Sequence, residues 1–545
     1  MKILLLQPPV RDFYDTDIRL QPIGLAYLKA AVQKHFPSIE IIIKAYHHSR
    51  HRRTIPLPKE LSYLKDFYAK DDKSPFSSFH HFYHFGTDFE TIAEEVAKEK
   101  PDLVGISALF APYYREALAC AAAIKKRWPA PVILGGSFVS TLPELMLSHP
   151  AVDFVIRGEG ERAFIEFLKA FKAPGTLSKI PNLGFKKNGK MIFNPLEETF
   201  PLKDLPFPDL SDLPKEDYLF ERKPLCFIIT SRGCPYRCSF CSVRQTFGHH
   251  YRRRSTENIL AEMTRRYAEG YRVFDFEDDN FAFDKKETLR LCEKIAKAFP
   301  LKDVQLLAMN GICYWTLDDE ILEGMRKAGF THLNLSLVST NAKLLKTARR
   351  PLHKKKYLAV VRKASGLGFK IVSYQILGLP GDTVPSMIRT LVFNAGLPIL
   401  IGASPFYLIP CSPVAESFGA PDETDLVKAR LTAMAIETQA FTRDDIYTLF
   451  ITTRILNFLK GLPLKATKVP LKKALAAAEK QDPRSFKGAE ILRKLFLEKK
   501  FYAATSKGFE VLPKFKPKLF FQLWRQLDSI QTQENKTIQT RGGVL

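Results

Sequence analysis

Cysteine is scarce in this chain of 545 residues: there are eight, Cys120, Cys226, Cys234, Cys238, Cys241, Cys292, Cys313 and Cys411. Three fall within eight residues and five are scattered, which argues against a disulfide framework and for one metal site in a reducing compartment. Long apolar runs are also missing. The opening Met1-Lys2-Ile3-Leu4-Leu5-Leu6 stops at Gln7-Pro8-Pro9, too short for a secretory signal, and no later run reaches transmembrane length. A cytoplasmic enzyme is the expectation. Acids are in deficit, 58 against 82 Lys and Arg, for a formal charge of +24. Such an excess attracts nucleic acid, anionic lipid or an anionic substrate, although a solvated basic surface is the plainer reading. No stacked-aromatic RNA motif or zinc-finger spacing accompanies it, so nucleic acid is not an expected partner. Internal repeats are absent. What is present, 46% hydrophobic and 26% charged residues, describes a globular chain long enough for two or three domains.

The first ~170 residues alternate short apolar strands with amphipathic helices, the pattern of a parallel α/β sheet. Strands are expected at Lys2–Leu6, Ile39–Ile43, Leu103–Ser107, Val132–Leu134 and Val152–Ile156. Helices are expected at Pro22–Val32, Tyr113–Arg127 and Ala163–Phe171. Residues 45–90 interrupt the rhythm with an aromatic segment that holds His47, His48, His51, His80, His81 and His84. These read either as a metal or ring-covering cluster or, more plainly, as packing and surface residues. Leu196–Lys215, punctuated by Pro201, Pro206, Pro208 and Pro214, reads as a linker.

A second alternating series follows, with strands expected at Leu225–Thr230, Arg272–Phe276, Val304–Met309, His332–Leu337, Lys370–Ile376 and Ser404–Leu408. One helix carries Ile259, Leu260, Met263 and Tyr267, and another starts at Asp284 with Glu287 three residues on, a capping arrangement. Six strand–helix units predict an open (β/α)6 barrel with its chemistry at the carboxyl ends of the strands. Beyond about residue 420 the pattern is helical and basic, and the stretch from Gln531 is polar and expected to fray. The expected domains are 1–195, a linker at 196–220, a barrel at 221–415 and a helical basic domain at 416–545.

The segment Ser231-Arg232-Gly233-Cys234-Pro235-Tyr236-Arg237-Cys238-Ser239-Phe240-Cys241 follows the first barrel strand. Three thiolates at this spacing can hold three irons of a cubane cluster and leave the fourth without a protein ligand, open to a donor on substrate. A zinc knuckle or three structural thiols are the bland alternatives; zinc wants a fourth ligand, and His249 and His250 stand at an unusual offset. In the N-terminal part, Ser107-Ala108-Leu109 and Gly135-Gly136 end two strands that face a ligand crevice in a parallel sheet. A hydroxyl there can bond a ring nitrogen, and paired glycines admit a close ligand.

The cysteine segment resembles the CxxxCxxC loop of the radical S-adenosylmethionine superfamily. The SxL…GG spacing, with 25 residues between Leu109 and Gly135, resembles cobalamin-binding domains. Further segments resemble those of the fused family: Pro22-Ile23-Gly24-Leu25, His84-Phe85-Gly86, Pro101–Ser107 and Arg157-Gly158-Glu159-Gly160-Glu161. The resemblance covers about residues 1–415. It implies a doubly wound, Rossmann-like cobalamin domain followed by a partial barrel. The implied cofactors are a [4Fe-4S] cluster on Cys234, Cys238 and Cys241, S-adenosyl-L-methionine, and cobalamin. S-adenosylmethionine would lie near Tyr236, Phe240, Glu277, Asp278, Asp279, Ser339, Gly378 and Pro380. Val338-Ser339 stands where relatives often carry Glu-Ser. Cobalamin would lie near Ser107, Leu109, Gly135, Gly136, Gly158 and Glu159. The DxHxxG motif that ligates cobalt in many such domains is absent; Ala45-Tyr46-His47-His48-Ser49-Arg50 lies near where it would fall.

The implied reaction begins with one-electron cleavage of S-adenosylmethionine to a 5′-deoxyadenosyl radical, most commonly for methyl transfer to an unactivated carbon. Radical cyclisation or rearrangement with the same cofactors, and a corrinoid sensor or carrier with an inert barrel, are the alternatives. A methylthiotransferase fits less well, since only Cys120 precedes Cys226. The expected partners are a small-molecule, lipid or peptide substrate and a reductant such as flavodoxin or ferredoxin. A basic tail with Lys472, Lys473, Arg493, Lys494, Lys499 and Lys500 could touch the inner face of a membrane, or simply be solvated.

Overall fold

A computed structural model describes residues 1–14, 21–48, 52–171, 174–197, 201–300, 302–462, 468–527 and 530–531. By compactness the chain divides in two. The first unit comprises residues 1–56, 82–279 and 408–429, and the second 57–81, 280–407 and 430–545.

The first unit is built on β1 (Lys2–Gln7), α1 (Ile23–His35), β2 (Glu40–Ala45), α2 (Phe89–Glu99), β3 (Leu103–Ser107), α3 (Tyr114–Arg127), β4 (Val132–Gly135), β5 (Phe154–Ile156) and α4 (Gly160–Ala170). A hairpin of β6 (Leu183–Lys187) and β7 (Lys190–Phe193) follows. All seven strands join one sheet in the order β7-β6-β5-β4-β3-β1-β2. The first five strands in sequence run parallel, and β6 and β7 extend the edge antiparallel. Ile3, Leu4, Leu5 and Leu6 are 0–1% exposed because helices cover both faces, which is why β1 reads as an unbroken apolar run.

The hairpin and α2 are additions to the expected elements. Asn188-Gly189, both at positive φ, supplies the two-residue turn of the hairpin. Helix α2 buries Ile92, Ala93 and Val96 at helical spacing. The proline-punctuated segment is docked rather than loose: Leu202, Leu205, Leu210 and Leu213 are buried. Lys29, itself buried on α1, pairs with Asp212 at 2.6 Å.

The same unit continues into β8 (Lys223–Ile228), α5 (Thr256–Ala268) and β9 (Val273–Phe276), with β8 and β9 parallel. Behind them Arg254 and Glu262, 1% and 0% exposed in their side chains, form an ion pair at 2.5 Å. Arg254 also donates to the Ile229 carbonyl at 2.8 Å, and its backbone N–H donates to the Thr230 carbonyl at 2.9 Å. The end of β8 is thereby fixed from behind by a charge that water cannot reach.

The second unit holds α6 (Lys285–Ala298), β10 (Gln305–Leu307), α7 (Asp319–Ala328), β11 (His332–Val338), α8 (Lys354–Gly366), β12 (Lys370–Leu377), α9 (Val384–Ala395) and β13 (Leu400–Pro405). Strands β11, β12 and β13 are parallel neighbours. The Asp284 carboxylate caps α6 by accepting from the Glu287 N–H at 3.0 Å. The sixth expected strand, Ser404–Leu408, falls instead at Leu400–Pro405. Gly402 lies against Tyr374 of β12, where a Cβ would come 2.6 Å from the ring. The strand is set by its parallel register, in which Val372 to Leu377 of β12 pair with Leu400 to Pro405.

The C-terminal stretch is largely helical, with α10 (Arg443–Gly461), α11 (Leu471–Glu479), α12 (Pro483–Glu498) and α13 (Pro517–Trp524). It also contains a hairpin, β14 (Tyr502–Thr505) with β15 (Gly508–Val511), turned at Gly508 with φ +106°. The purely helical expectation is corrected there. Residues 57–81 belong to this unit: Tyr63 and Tyr68 donate to the carbonyls of Ala433 and Thr432 at 2.7 Å each, and the Lys73 N–H donates to Ala504 at 2.8 Å. Among the described residues no helix is long and apolar enough to cross a membrane. The expected fraying beyond Gln531 falls outside the described residues.

Replacing Glu262 with Gln leaves the Arg254 charge buried and uncompensated. The variant is expected to lose about 3 kcal/mol or more, read as a lowered denaturant midpoint of the first unit.

Candidate functional site

In the first unit the sheet order reverses between β1 and β3. The carboxyl ends of β1, β3, β4 and β5 open there on a cavity of about 260 Å³. Ser107, Leu109, Gly135, Gly136, Gly158 and Glu159, expected from scattered segments, all line it. Ser107 and Gly135 are direct partners across β3 and β4. Gly136 takes φ +114°, and a Cβ on it would meet the Ala108 carbonyl oxygen at 2.6 Å, so the turn admits no larger residue. Two buried polar atoms on the cavity wall lack a hydrogen-bond partner: Gln7 Oε1 and Arg232 Nε. Sequence reasoning singles out neither residue. Gln7 ends an apolar strand, and the partners of Arg232 are more than 70 positions away, so neither belongs to a local pattern.

The cysteine loop starts from the short pair Ser231–Arg232 and Arg252–Arg253. Gly233 has φ +82°, and a Cβ there would collide with the His250 carbonyl. Cys234, Cys238 and Cys241 are half-buried, as are Tyr236 and Phe240 beside them. The Cys241 N–H donates to the Cys238 carbonyl at 3.2 Å, and the Val414 N–H donates to the Ser239 carbonyl at 2.9 Å. Among the described residues no three His, Cys, Asp or Glu side chains close on a point that would hold one metal ion. A cubane asks for something wider, since its three thiolates belong to three different irons. The remaining cysteines lie apart: Cys120, Cys226, Cys292 and Cys313 are buried and Cys411 is exposed. Burial pushes the Cys120 thiol up to about 12, which makes it inert.

The acids after β9 serve the base of this loop. The Asp278 carboxylate, 2% exposed, accepts from Thr230 Oγ1 at 2.8 Å and from the Ser231 hydroxyl. Asp279 accepts from the Gly233 N–H at 2.9 Å, and burial pushes its carboxyl up to about 6. Glu277 is half-buried beside them.

In the second unit Ser339 and Gly378 stand just past the ends of β11 and β12, with Pro380 two residues on. Ser339 is buried, and its hydroxyl accepts from the Asn341 N–H at 3.1 Å. Val338 before it sits at φ +70°, a strained position for a β-branched residue and one that clusters at functional sites. Gly378, at φ +79°, has a packing reason of its own: a Cβ would come 2.9 Å from Ile446. Asn280 is fully buried with neither amide atom partnered, an unmet capacity at a strand end where the chemistry is expected.

Among the described residues no histidine lines the cavity. His47 and His48 stack at 4.6 Å and pack on Tyr218, and His48 Nε2 lies 3.5 Å from Asp217. His51, Ser49 and Arg50 fall outside the described residues. Burial and the neighbouring His48 push His47 down to about 3.

Residues 228–393 match the Radical SAM superfamily, and residues 77–168 match the B12 binding domain. The chain thus carries a match to a B12 binding domain and a match to a radical SAM domain together, the combination that the resemblance implies. A relative is the uncharacterized methyltransferase PH0819 of Pyrococcus horikoshii, 26% identical over 404 residues that span 73% of this chain and 79% of that protein. The radical S-adenosylmethionine methyltransferase TsrM of Kitasatospora setae, solved with cobalamin and a [4Fe-4S] cluster bound, superposes with TM-score 0.58. It is 19% identical, over 76% of this chain and 78% of that one. The cobalamin-dependent S-adenosylmethionine radical enzyme OxsB, solved with aqua-cobalamin and S-adenosylmethionine, gives TM-score 0.59 at 14% identity, over 96% of this chain and 79% of that one. These likenesses confirm the fold expected for such an enzyme: a doubly wound N-terminal sheet followed by a radical SAM barrel.

The cavity suits what this family binds. Its wall is mainly apolar and can take a planar aromatic base. The unspent Gln7 and Arg232 atoms match amide and phosphate groups, and Gly136 holds the backbone in a turn without a side chain.

Gly136→Ala is expected to lose about 1–3 kcal/mol through the forced φ and the Ala108 contact, seen as a lower unfolding midpoint and weaker hydroxocobalamin uptake. Because His47 stays neutral when folded but protonates near pH 6.5 when unfolded, its contribution to stability is full above that pH and is lost as pH falls toward 3. At pH 5 the loss is about 2 kcal/mol. His47→Phe is expected to flatten that acid-side slope in denaturation measured at pH 7 and pH 5.

Proposed function

We propose that this chain methylates an unactivated carbon of a small-molecule, lipid or peptide substrate. The observation that carries the reading is that the cavity and the cysteine loop lie in one compact unit and share a wall: Arg232, Thr246 and Phe247, which flank the three cysteines, also line the cavity. Cys234, Cys238 and Cys241, half-buried on the loop, would hold the [4Fe-4S] cluster. The family resemblance assigns Tyr236, Phe240, Glu277, Asp278, Asp279, Ser339, Gly378 and Pro380 to S-adenosylmethionine. Asp278 and Asp279 would act chiefly by holding residues 230–233 in place, and Glu277 is the acid of the three best placed to accept the methionyl amino group. Ser107, Leu109, Gly135, Gly136, Gly158 and Glu159 would enclose the nucleotide tail of cobalamin. When bound, these groups supply a hydrogen-abstracting radical and a transferable methyl group.

The protein's own contribution is to hold the two cofactor sites in fixed register and to exclude water from the cavity. The working division is a cobalamin domain at 1–195, a linker at 196–220, a barrel at 221–415 and a basic C-terminal domain at 416–545. Electrons would come from a flavodoxin or ferredoxin. Lys472, Lys473, Arg493, Lys494, Lys499 and Lys500 would suit a substrate drawn from the inner face of a membrane.

The test is anaerobic reconstitution with iron, sulfide and hydroxocobalamin, followed by reduction in the presence of S-adenosylmethionine. Expected are about four irons per chain, a corrinoid spectrum that survives gel filtration, and 5′-deoxyadenosine. Changing all three loop cysteines to Ala should abolish the cluster and the 5′-deoxyadenosine while leaving corrinoid uptake detectable. Product mass separates methyl transfer from cyclisation or rearrangement: a gain of one CH2 supports the first, and an unchanged or lower mass overturns it.

A further inference from the structure

Glu159 and Glu161 flank the start of α4, and both line the cavity, as does Arg232 two residues before Cys234. Arg232 is 4% exposed, and its guanidinium lies 2.5 Å from Glu161 and 3.5 Å from Glu159. Arg252, its partner across the short strand pair, forms an ion pair with Glu159. The rings of Tyr27 and Phe247 stand 5.6 Å from the Arg232 guanidinium. Burial opposes both charges. Even so, Glu161 and Glu159 hold the Arg232 pKa above its ordinary value, and Arg232 and Arg252 hold the Glu161 carboxyl below the usual range. Two cations and two anions balance there, with Arg232 and Glu161 buried and Arg252 and Glu159 at the edge of the buried zone.

This network has two ends. One is the N-terminal turn of a rigid helix on the cavity wall, where the helix dipole also favours the acids. The other is the residue from which the cysteine loop departs. A molecule filling the cavity must touch Glu159, Glu161 and Arg232, whose Nε is still unspent. Whatever it does to that arrangement is felt at Gly233 and Cys234, because a buried ion pair cannot give up one partner cheaply.

We propose that Glu159, Glu161, Arg232 and Arg252 are positioning residues that couple the two cofactor sites, so that a corrinoid in the cavity stabilises the cluster in the loop and the cluster tightens the cavity. This rests on the cobalamin reading above. Linkage makes the effect reciprocal: the factor by which hydroxocobalamin strengthens the cluster must equal the factor by which the cluster strengthens hydroxocobalamin.

The experiment uses the full-length reconstituted protein without substrate or turnover. Iron transfer to a ferrous chelator is titrated to equilibrium with and without hydroxocobalamin, and the hydroxocobalamin Kd is measured with and without the cluster. In the unaltered protein each ratio is expected to be about 5-fold or more. In Glu161→Gln both ratios should fall toward one, and Glu161→Asp should restore part of the effect. Should Glu161→Gln fold poorly because Arg232 is left unpaired, the charge-neutral pair Glu161→Gln with Arg232→Gln carries the same expectation. Ratios of one in the unaltered protein, or full coupling in the neutral pair variant, would sink the proposal while leaving the cobalamin reading intact. Failure of the unaltered protein to take up hydroxocobalamin at all would overturn both.

Discussion

A guanidinium withdrawn from water must be met by anions, and the anions that meet Arg232 belong to a helix some 70 positions earlier in the chain. That requirement shapes the first unit. It ties the start of the cysteine loop to the mouth of a parallel-sheet crevice, and the tie cannot slacken without stranding a charge. The neighbouring Arg254–Glu262 pair does the same to the end of β8. The loop therefore leaves its strand from a platform fixed by two buried ion pairs, neither of which uses a residue of the loop's thiol set.

The crevice itself follows from topology. A parallel sheet whose strand order reverses leaves two adjacent strand ends with their following loops turned apart, and the gap is the binding place. What the sequence adds is size control. Gly105 sits where a Cβ would press on Leu5, and Gly136 where one would press on Ala108. Strands and backbone approach as closely there as a chain can, while Ile133, Ile156 and Phe164 give the lining its apolar bulk.

Much of this architecture is legible in the order of the residues. The parallel strands declare themselves because burial on both faces makes them continuous apolar runs, and β3 has the bounds expected of it, Leu103–Ser107. Of the six cavity residues, Ser107, Leu109, Gly135 and Gly136 can be picked as strand ends that face a crevice, with the paired glycines as the readable trace, whereas Gly158 and Glu159 come only from the family resemblance. Other elements escape for identifiable reasons. Helix α2 lies hidden at the end of an aromatic excursion, and the Asn188-Gly189 turn, a plain hairpin signal, is obscured by the basic strands on either side of it. The C-terminal hairpin is masked by the lysine-rich helices around it. Arg232 and the engagement of Asp278 and Asp279 with residues 230–233 are out of reach, since long-range pairing of charges has no period and no motif.

The same contacts explain why the thiols stand on a half-buried loop rather than in the core. A cluster that offers one iron to a small molecule needs an accessible face and a base that does not move, and these demands conflict when one segment must meet both. The chain separates them. Rigidity is assigned to residues 230–233, where Asp278 takes the Thr230 and Ser231 hydroxyls, Asp279 takes the Gly233 N–H and Glu161 takes the Arg232 guanidinium. Accessibility is assigned to residues 234–241, where exposure rises as soon as the cysteines begin. Acids that the resemblance places near S-adenosylmethionine are thereby partly structural. Exchanging Asp278 for a residue that cannot accept two hydroxyls would disturb the loop before it disturbed any bound molecule.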